Sequence, residues 1–250
     1  MSFRWWTFPA FLLISTFVAG VLLFAFASAI VYPTLPSLDA LTDYHPKIPL
    51  RVYGADGKLI AEFGEERRSV VSIKDVPKRL ISAILAAEDE RFYQHRGVDY
   101  MGVARAAMSN FVSGGVRQGA STITMQVARN FFLSKEKTIT RKFNEMLLAF
   151  KIEASLPKDQ ILELYINQIF LGQRAYGFAA ASRIYFGKPL ADLTLAECAM
   201  LAGLPKAPSR YNPVANPQRA KLPLGKRWRH FRAGPTSLFI LATPIARSTV

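Results

Sequence analysis

"AILAAEDERFYQHRGVDY", residues 83–100, is the stretch on which the reading of this chain turns. Small and apolar residues run into two carboxylates, Glu88 and Asp89, and an aromatic pair, a histidine and a glycine follow. On a helix turning about 100° per residue, Leu80, Ile81, Ile84, Leu85 and Ala87 share one broad apolar face. Glu88 falls near the middle of that face, Asp89 at its edge, and Glu90 points away. Burial raises a carboxylate's pKa and strengthens it as a base. Isolated burial is also costly, so a carboxylate at such a position needs a chemical reason. Two readings follow. Either the helix ends near residue 87 and both acids are solvated or cap the next helix, or Glu88 is a general acid or base at a cleft, with Phe92 and His95 nearby.

Towards the N-terminus, no charged residue occurs between Arg4 and Asp39. The apolar core, "FPAFLLISTFVAGVLLFAFASAIVY", is long enough to cross a hydrocarbon layer of about 30 Å at roughly 1.5 Å per residue. A cleaved signal peptide is the rival, since Ala27-Ser28-Ala29 fits a cleavage site. The apolar run exceeds the usual h-region of about 7–15 residues, which favours an uncleaved anchor. Arg4 before the span, with the next positive residue at Lys47, predicts the N-terminus inside and the main body outside; Trp5-Trp6 fits an interfacial aromatic belt. The chain divides into a cytoplasmic N-terminus (1–6), a transmembrane signal-anchor (7–32), a proline-rich linker (33–50), a mainly helical domain (51–213) and a basic tail (214–250) that is expected to be disordered.

Within the domain, alternating apolar residues around Asp56-Gly57 predict a small β-hairpin. From Asp75 to about Leu204 the pattern is helical, with Pro77, Ser121, Pro157 and Gly172 as punctuation. Thr194 and Glu197 have the spacing of a capping box. In "GGVRQGASTITMQVARNFFL" a glycine-rich loop runs into a helix capped by Ser121, whose N-terminus has the free N–H groups an anion site needs. "KEKTITRKFNEMLLAFKIE" gathers Lys135, Lys137, Arg141 and Lys142 ahead of Glu145. Arg141 and Glu145 share a face on a helix otherwise apolar nearly all round, so the pair is at least partly buried, and a cationic cluster beside a carboxylate suits a pyrophosphate leaving group. In "KDQILELYINQIFLGQ", Glu163 and Asn167 are polar exceptions on a core helix. Residues 100–116 carry Arg105 as their one charge. They read either as a core helix or as a lobe touching a bilayer.

The net charge of +14 points to polyanionic partners. A single cysteine, Cys198, excludes an internal disulfide and argues against a cysteine-based metal site.

With these pieces in place, the chain resembles the peptidoglycan polymerases of glycosyltransferase family 51, and more closely the N-terminal half of the class A penicillin-binding proteins of 1A type from Gram-negative bacteria. The likeness covers about residues 51–213 and five ordered motifs: "EDERFYQHRG", "GASTITMQ" (with Met125 where many members carry Gln), "RKFNE", "KDQILELYIN" and "LTLAECAMLAGLPKAPSRYNP". The resemblance implies a lysozyme-like fold of two lobes and the inverting polymerisation of lipid II with release of undecaprenyl pyrophosphate. It implies Glu88 as catalytic base, Asp89 as supporting acid and Glu145 as the second essential glutamate. Substrate contacts would come from Phe92, His95, Ser121, Thr122, Gln126, Arg129, Arg141, Lys142, Glu163 and Asn167, with Lys137 added from local charge alone. No cofactor is expected, although a divalent cation such as Mg2+ could bridge pyrophosphate and carboxylate. Lipid II, the membrane and other wall-synthesis proteins are the expected partners, with no nucleic acid. The expected location is the inner membrane, single-pass, with the catalytic domain in the periplasm.

"SKEK" (134–137) and "SLPK" (155–158) match a transpeptidase Ser-x-x-Lys by spacing, but no companion element accompanies them, so only the glycosyltransferase is expected. The family pattern fades after "NPVANPQRAK", as in a truncated or frame-shifted end. The alternatives are an inactive membrane fragment acting by association, and a wall hydrolase of lysozyme type.

Overall fold

The structure, a computed structural model, describes residues 7–43, 49–57, 59–64, 66–115, 119–133 and 138–214. The expected cytoplasmic N-terminus (1–6), Lys135, Lys137 and, from residue 215, the basic tail lie outside the described residues. Helix α1 (Thr7–Val31) has 25 residues and no charge. At 1.5 Å per residue it is about 37 Å long, enough to cross a bilayer core. None of its most apolar window is buried against the rest of the chain. A 3-10 turn at Tyr32–Thr34 and the one-turn α2 (Asp39–Thr42) lead away from it.

The predicted hairpin is present. Strand β1 (Leu50–Tyr53) pairs antiparallel with β2 (Leu59–Phe63), with a register irregularity at Val52/Tyr53. Gly57 takes φ +75° in the turn, a conformation glycine adopts without a Cβ penalty. A second, two-residue ladder joins β3 (Arg67–Arg68) in parallel to β4 (Ala175–Tyr176), tying the entry of the domain to its later half. Arg68 is buried there: its Nε donates to Glu66, its Nη1 to Gln168, and its guanidinium lies 4.5 Å from the Tyr176 ring centre.

The remainder is helical, as expected from the pattern. The helices are α3 (Lys78–Glu88), α4 (Tyr100–Val112), α5 (Ile123–Phe132), α6 (Ile139–Ser155), α7 (Lys158–Gln168), α8 (Phe178–Phe186) and α9 (Leu195–Gly203). Pro77 and Pro157 occupy the N-caps of α3 and α7, and the capping box of Thr194 and Glu197 opens α9. The main apolar cluster is built from α3, α5, α6, α7, α8 and α9, and a small second one joins Val98, Met125 and Ala149. Helix α5 is the axis of the main cluster. Residues 123–128 are all buried, because α5 packs against both α6 and α7.

Helix α4 stands apart and removes the core-helix reading of this segment. Only Ala106 is buried on it, while Tyr100, Met101, Met108, Phe111 and Val112 are exposed. It is not a core helix.

Candidate active site

Helix α3 stops at Glu88, and Asp89 is its C-cap, with φ −158° and its N–H bonded to Leu85 O. That stop agrees with a helix ending near residue 87, but the burial of the two acids reverses the helical-face expectation that put Glu88 at the middle of the apolar face and Asp89 at its edge. Asp89 is 6% exposed, whereas Glu88 is half-buried. The physical reason is the break in helical backbone, which swings Asp89 inward under the start of α5. Its Oδ2 accepts from Ile123 N at 3.0 Å, and His95 Nε2 lies 2.9 and 3.0 Å from its two oxygens. A carboxylate on the first N–H of α5 also faces the positive end of that helix dipole.

The cap of α5 needs a second correction. Thr122, not Ser121, caps it: Thr122 Oγ1 accepts from Met125 N and donates to Gly97 O at 2.5 Å. Gly97 has φ +75°, and an added Cβ would sit 3.1 Å from the α6 backbone at Ala149 and Phe150. The glycine of "EDERFYQHRG" thus lets this loop lie directly on α6.

Ser121 is released for another task. Its Oγ accepts from Lys142 Nζ at 2.6 Å, and the same Nζ donates to Glu145 Oε2 at 2.8 Å. Arg141 Nη1 donates to Glu145 Oε1 at 2.6 Å. Glu145 is 1% exposed, so its charge is neutralised inside the protein by two cations on its own helix. Lys142 remains 45% exposed and can turn part of its charge outward. Further along α5, Gln126 Nε2 donates to Glu88 Oε2 at 3.0 Å.

These bonds make two groups, Glu88 with Gln126 on α5, and Ser121 with Lys142, Glu145 and Arg141. Ser121, two residues before α5, and Gln126 within it are joined through the backbone of that helix, and the two groups together are the polar seam of the site. Of the residues expected at the site, the seam joins Glu88, Gln126, Ser121, Lys142, Glu145 and Arg141, with Asp89, His95 and Thr122 fixing α5 beneath it. Arg129 lies half-buried on α5, and its charge reaches the Tyr165 phenol as do those of Glu88 and Asp89.

Other expected contacts take different places. Phe92 is fully buried, with its ring edge-on to Tyr93 and His95 and capped by Lys158 Nζ at 4.3 Å, so it supports the loop from inside and cannot touch a substrate. Glu163 accepts from Ile73 N at 2.7 Å, and Asn167 bonds Val71 through both its carbonyl and its amide. Together they fasten residues 71–73 to α7. Among the described residues no group of three or more His, Cys, Asp or Glu side chains is arranged to hold a metal ion.

Two features escaped sequence reasoning. Glu153 Oε1 accepts from Thr124 Oγ1 (2.6 Å) and Lys158 Nζ (2.7 Å), clamping α5, α6 and α7 around Phe92. Tyr165 is fully buried in α7 with its hydroxyl unpartnered. An i,i+5 charge pair and a tyrosine within an apolar run carry no periodic signal.

The Transglycosylase family model matches residues 56–230. The chain belongs to this family. It is 66% identical over 205 residues to penicillin-binding protein 1A of Neisseria gonorrhoeae, covering 82% of this chain and 26% of that protein. It is 53% identical over 222 residues to penicillin-binding protein 1A of Pseudomonas aeruginosa, covering 88% and 26%. Among solved structures, penicillin-binding protein 1A from Haemophilus influenzae is 34% identical with a TM-score of 0.38, covering 72% of this chain and 17% of that one. The chain therefore spans about a quarter of the curated relatives it matches, where the motifs alone suggested half.

Proposed function

We propose that this transglycosylase is a membrane-anchored peptidoglycan glycosyltransferase that polymerises lipid II, with inversion, and releases undecaprenyl pyrophosphate. The observation that carries this reading is the seam from half-exposed Glu88 to the neutralised Glu145 with its exposed cation Lys142. The two ends suit the two ends of the reaction. Glu88, held by Gln126, takes the proton of the acceptor 4-hydroxyl as that oxygen attacks C1 of the donor sugar. As the bond from C1 to the pyrophosphate oxygen breaks, negative charge grows on the leaving diphosphate. Lys142 and Arg141 are already ordered by Glu145 and Ser121, so they meet that charge without reorganisation. Asp89 holds no reacting atom and acts by fixing the start of α5.

A divalent cation is not needed for this scheme, since both Glu145 oxygens are engaged by cationic donors. Helix α1 serves as a single-pass anchor with the domain on the periplasmic side. The exposed apolar residues of α4 lie against the same leaflet, bringing the cleft to a lipid-borne substrate. The test is polymerisation of lipid II by the purified chain with and without Glu88→Gln. Glycan strands are expected from the parent chain and none from the variant. Equal output from both would remove Glu88 from the mechanism, and release of fragments from finished peptidoglycan would replace polymerisation by hydrolysis.

A further inference from the structure

The loop between α3 and α4 lines a cavity of about 410 Å3 that shares no residue with the seam. Its polar lining includes Arg91, Gln94, His95 and Arg96. The charges there do not cancel. Asp99 is the one carboxylate in the lining, and it already accepts from Arg91 Nη2 and from Gly102 N. Arg96 is exposed, and no carboxylate among the described residues pairs with it. Two guanidiniums against one carboxylate leave a positive balance. Two polar atoms of the same lining residues, Arg91 Nε and His95 Nδ1, are buried without a partner. A guanidinium offers five N–H donors in a planar fork and accepts nothing, so this lining fits an anion, and a phosphate matches the fork.

The apolar part of the lining narrows the class of ligand. It includes Met101, at the start of α4, and Phe150 of α6. Met101 is exposed, and at helical spacing it stands on one stripe of α4 with the exposed Met108 and Val112. Met101 therefore belongs both to the cavity and to the uncovered apolar surface of that helix. A ligand that satisfies both carries an anion at one end and hydrocarbon at the other, which a free phosphate does not.

We propose that this cavity binds the phosphate of an anionic phospholipid, with Arg96 and Arg91 as its cationic donors and Gln94 as a neutral one. The first carbons of the acyl chains lie along Met101 and the stripe that continues to Met108 and Val112. Such pairs are charge-assisted, and a guanidinium holds a phosphate through two parallel bonds. His95, on the same loop, is bonded to Asp89, which holds the start of α5, so a lipid bound here steadies the loop that follows the two acids. The inference rests on the proposed function for the bilayer beside α4, but not for any chemistry at Glu88.

The test is native mass spectrometry of the full chain in detergent, titrated separately with dioctanoyl phosphatidylglycerol, dioctanoyl phosphatidylcholine, glycerol phosphate and inorganic phosphate. One phosphatidylglycerol is expected to bind at least about tenfold more tightly than any of the other three. Arg96→Gln, a change at an exposed side chain, weakens that binding about tenfold. Lys206→Gln removes the same charge from an exposed position outside the cavity and leaves the affinity within about twofold. Soluble phosphates that bind as tightly as the anionic lipid overturn the lipid assignment. Equal binding of the two lipids, or equal losses in the two variants, overturns the site. A chain that binds the anionic lipid as expected but makes no glycan from lipid II overturns the polymerase reading instead.

Discussion

At the scale of single residues, the two adjacent acids have opposite environments and opposite sensitivities. Asp89 is buried and accepts bonds from a backbone N–H and from a histidine. An amide at this position must turn its NH2 towards one of those donors, so Asp89→Asn should cost about 1–3 kcal/mol. In a chain of this size that lowers Tm by about 2–12 °C, at about 2–4 °C per kcal/mol, readable by circular dichroism. Glu88 is half-buried and bound by a side-chain amide, so Glu88→Gln should change stability by less than about 0.5 kcal/mol while abolishing polymerisation. The two cations on Glu145 separate in the same way. Arg141 is 15% exposed and Lys142 45%. Arg141→Met leaves a deeply buried carboxylate short of its less exposed partner and should cost about 3–5 kcal/mol. Lys142→Met should unfold at a higher temperature than Arg141→Met, yet weaken binding of a lipid diphosphate measured by equilibrium dialysis against detergent-solubilised chain. An Arg141 variant as stable as the parent would mean that Glu145 is not held as described.

At the scale of elements, local signals were legible and distant ones were not. The capping box of α9 involves residues three apart, and both halves form: Glu197 N donates to Thr194 Oγ1, and Thr194 N to Glu197 Oε2. Thr194→Ala should therefore cost about 1 kcal/mol, seen as a lower urea midpoint. Although burial pulls the Glu197 carboxyl up, the bonds from Lys188 and from Thr194 hold it below its ordinary value. A depressed folded pKa means that the stabilisation is present above the unfolded value of about 4.3 and is lost as pH falls through the lower folded value. The urea midpoint should drop over that acid window, and Glu197→Gln should flatten the drop. The same locality explains why the hairpin, the helix starts at Pro77 and Pro157, and the Arg141–Glu145 pair could be read from spacing. The burial of Asp89 could not, because its partner Ile123 lies 34 positions away and its direction depends on where α3 stops. Thr122 displaced Ser121 as the α5 cap for a comparable reason. Both hydroxyls suit a cap, and the choice is made by Gly97 O and Lys142, which belong to other elements. Phe92 looked like a site residue because it lies in the motif, but Lys158, brought in by α7, closes over its ring.

At the scale of the molecule, the anchor and the site are physically joined. Phe24 of α1 meets Phe143 of α6 edge-on at 5.6 Å, and Phe143 directly follows Arg141 and Lys142, the residues that engage Glu145. Below the anchor, Lys151 Nζ, also on α6, donates to the carbonyls of Leu35 and Pro36. Helix α6 is thus joined to α1 at Phe24 and to the segment after α1 at Leu35 and Pro36, so the long apolar helix and the helix that carries the cationic cluster are held together. Helix α4 is another exposed apolar element, with Phe111 86% and Val112 78% exposed. Each such side chain forgoes about 1.5–3 kcal/mol by staying in water, a cost relieved if α4 enters the lipid surface. The expected outcome is specific. In the full chain with Trp5, Trp6 and Trp228 each replaced by Phe and reconstituted into nanodiscs, a single tryptophan at position 111 (Phe111→Trp) should be quenched by lipids brominated along their acyl chains. A tryptophan at exposed Val70, away from α4, serves as the control and should not be quenched. Phe111→Asp should then slow polymerisation of bilayer-borne lipid II while leaving turnover of a detergent-dispersed, short-chain analogue within about twofold, because the change acts on approach to the membrane and not on the seam. Equal quenching at both positions, or equal slowing of both substrates, would detach α4 from the membrane and leave α1 as its sole contact.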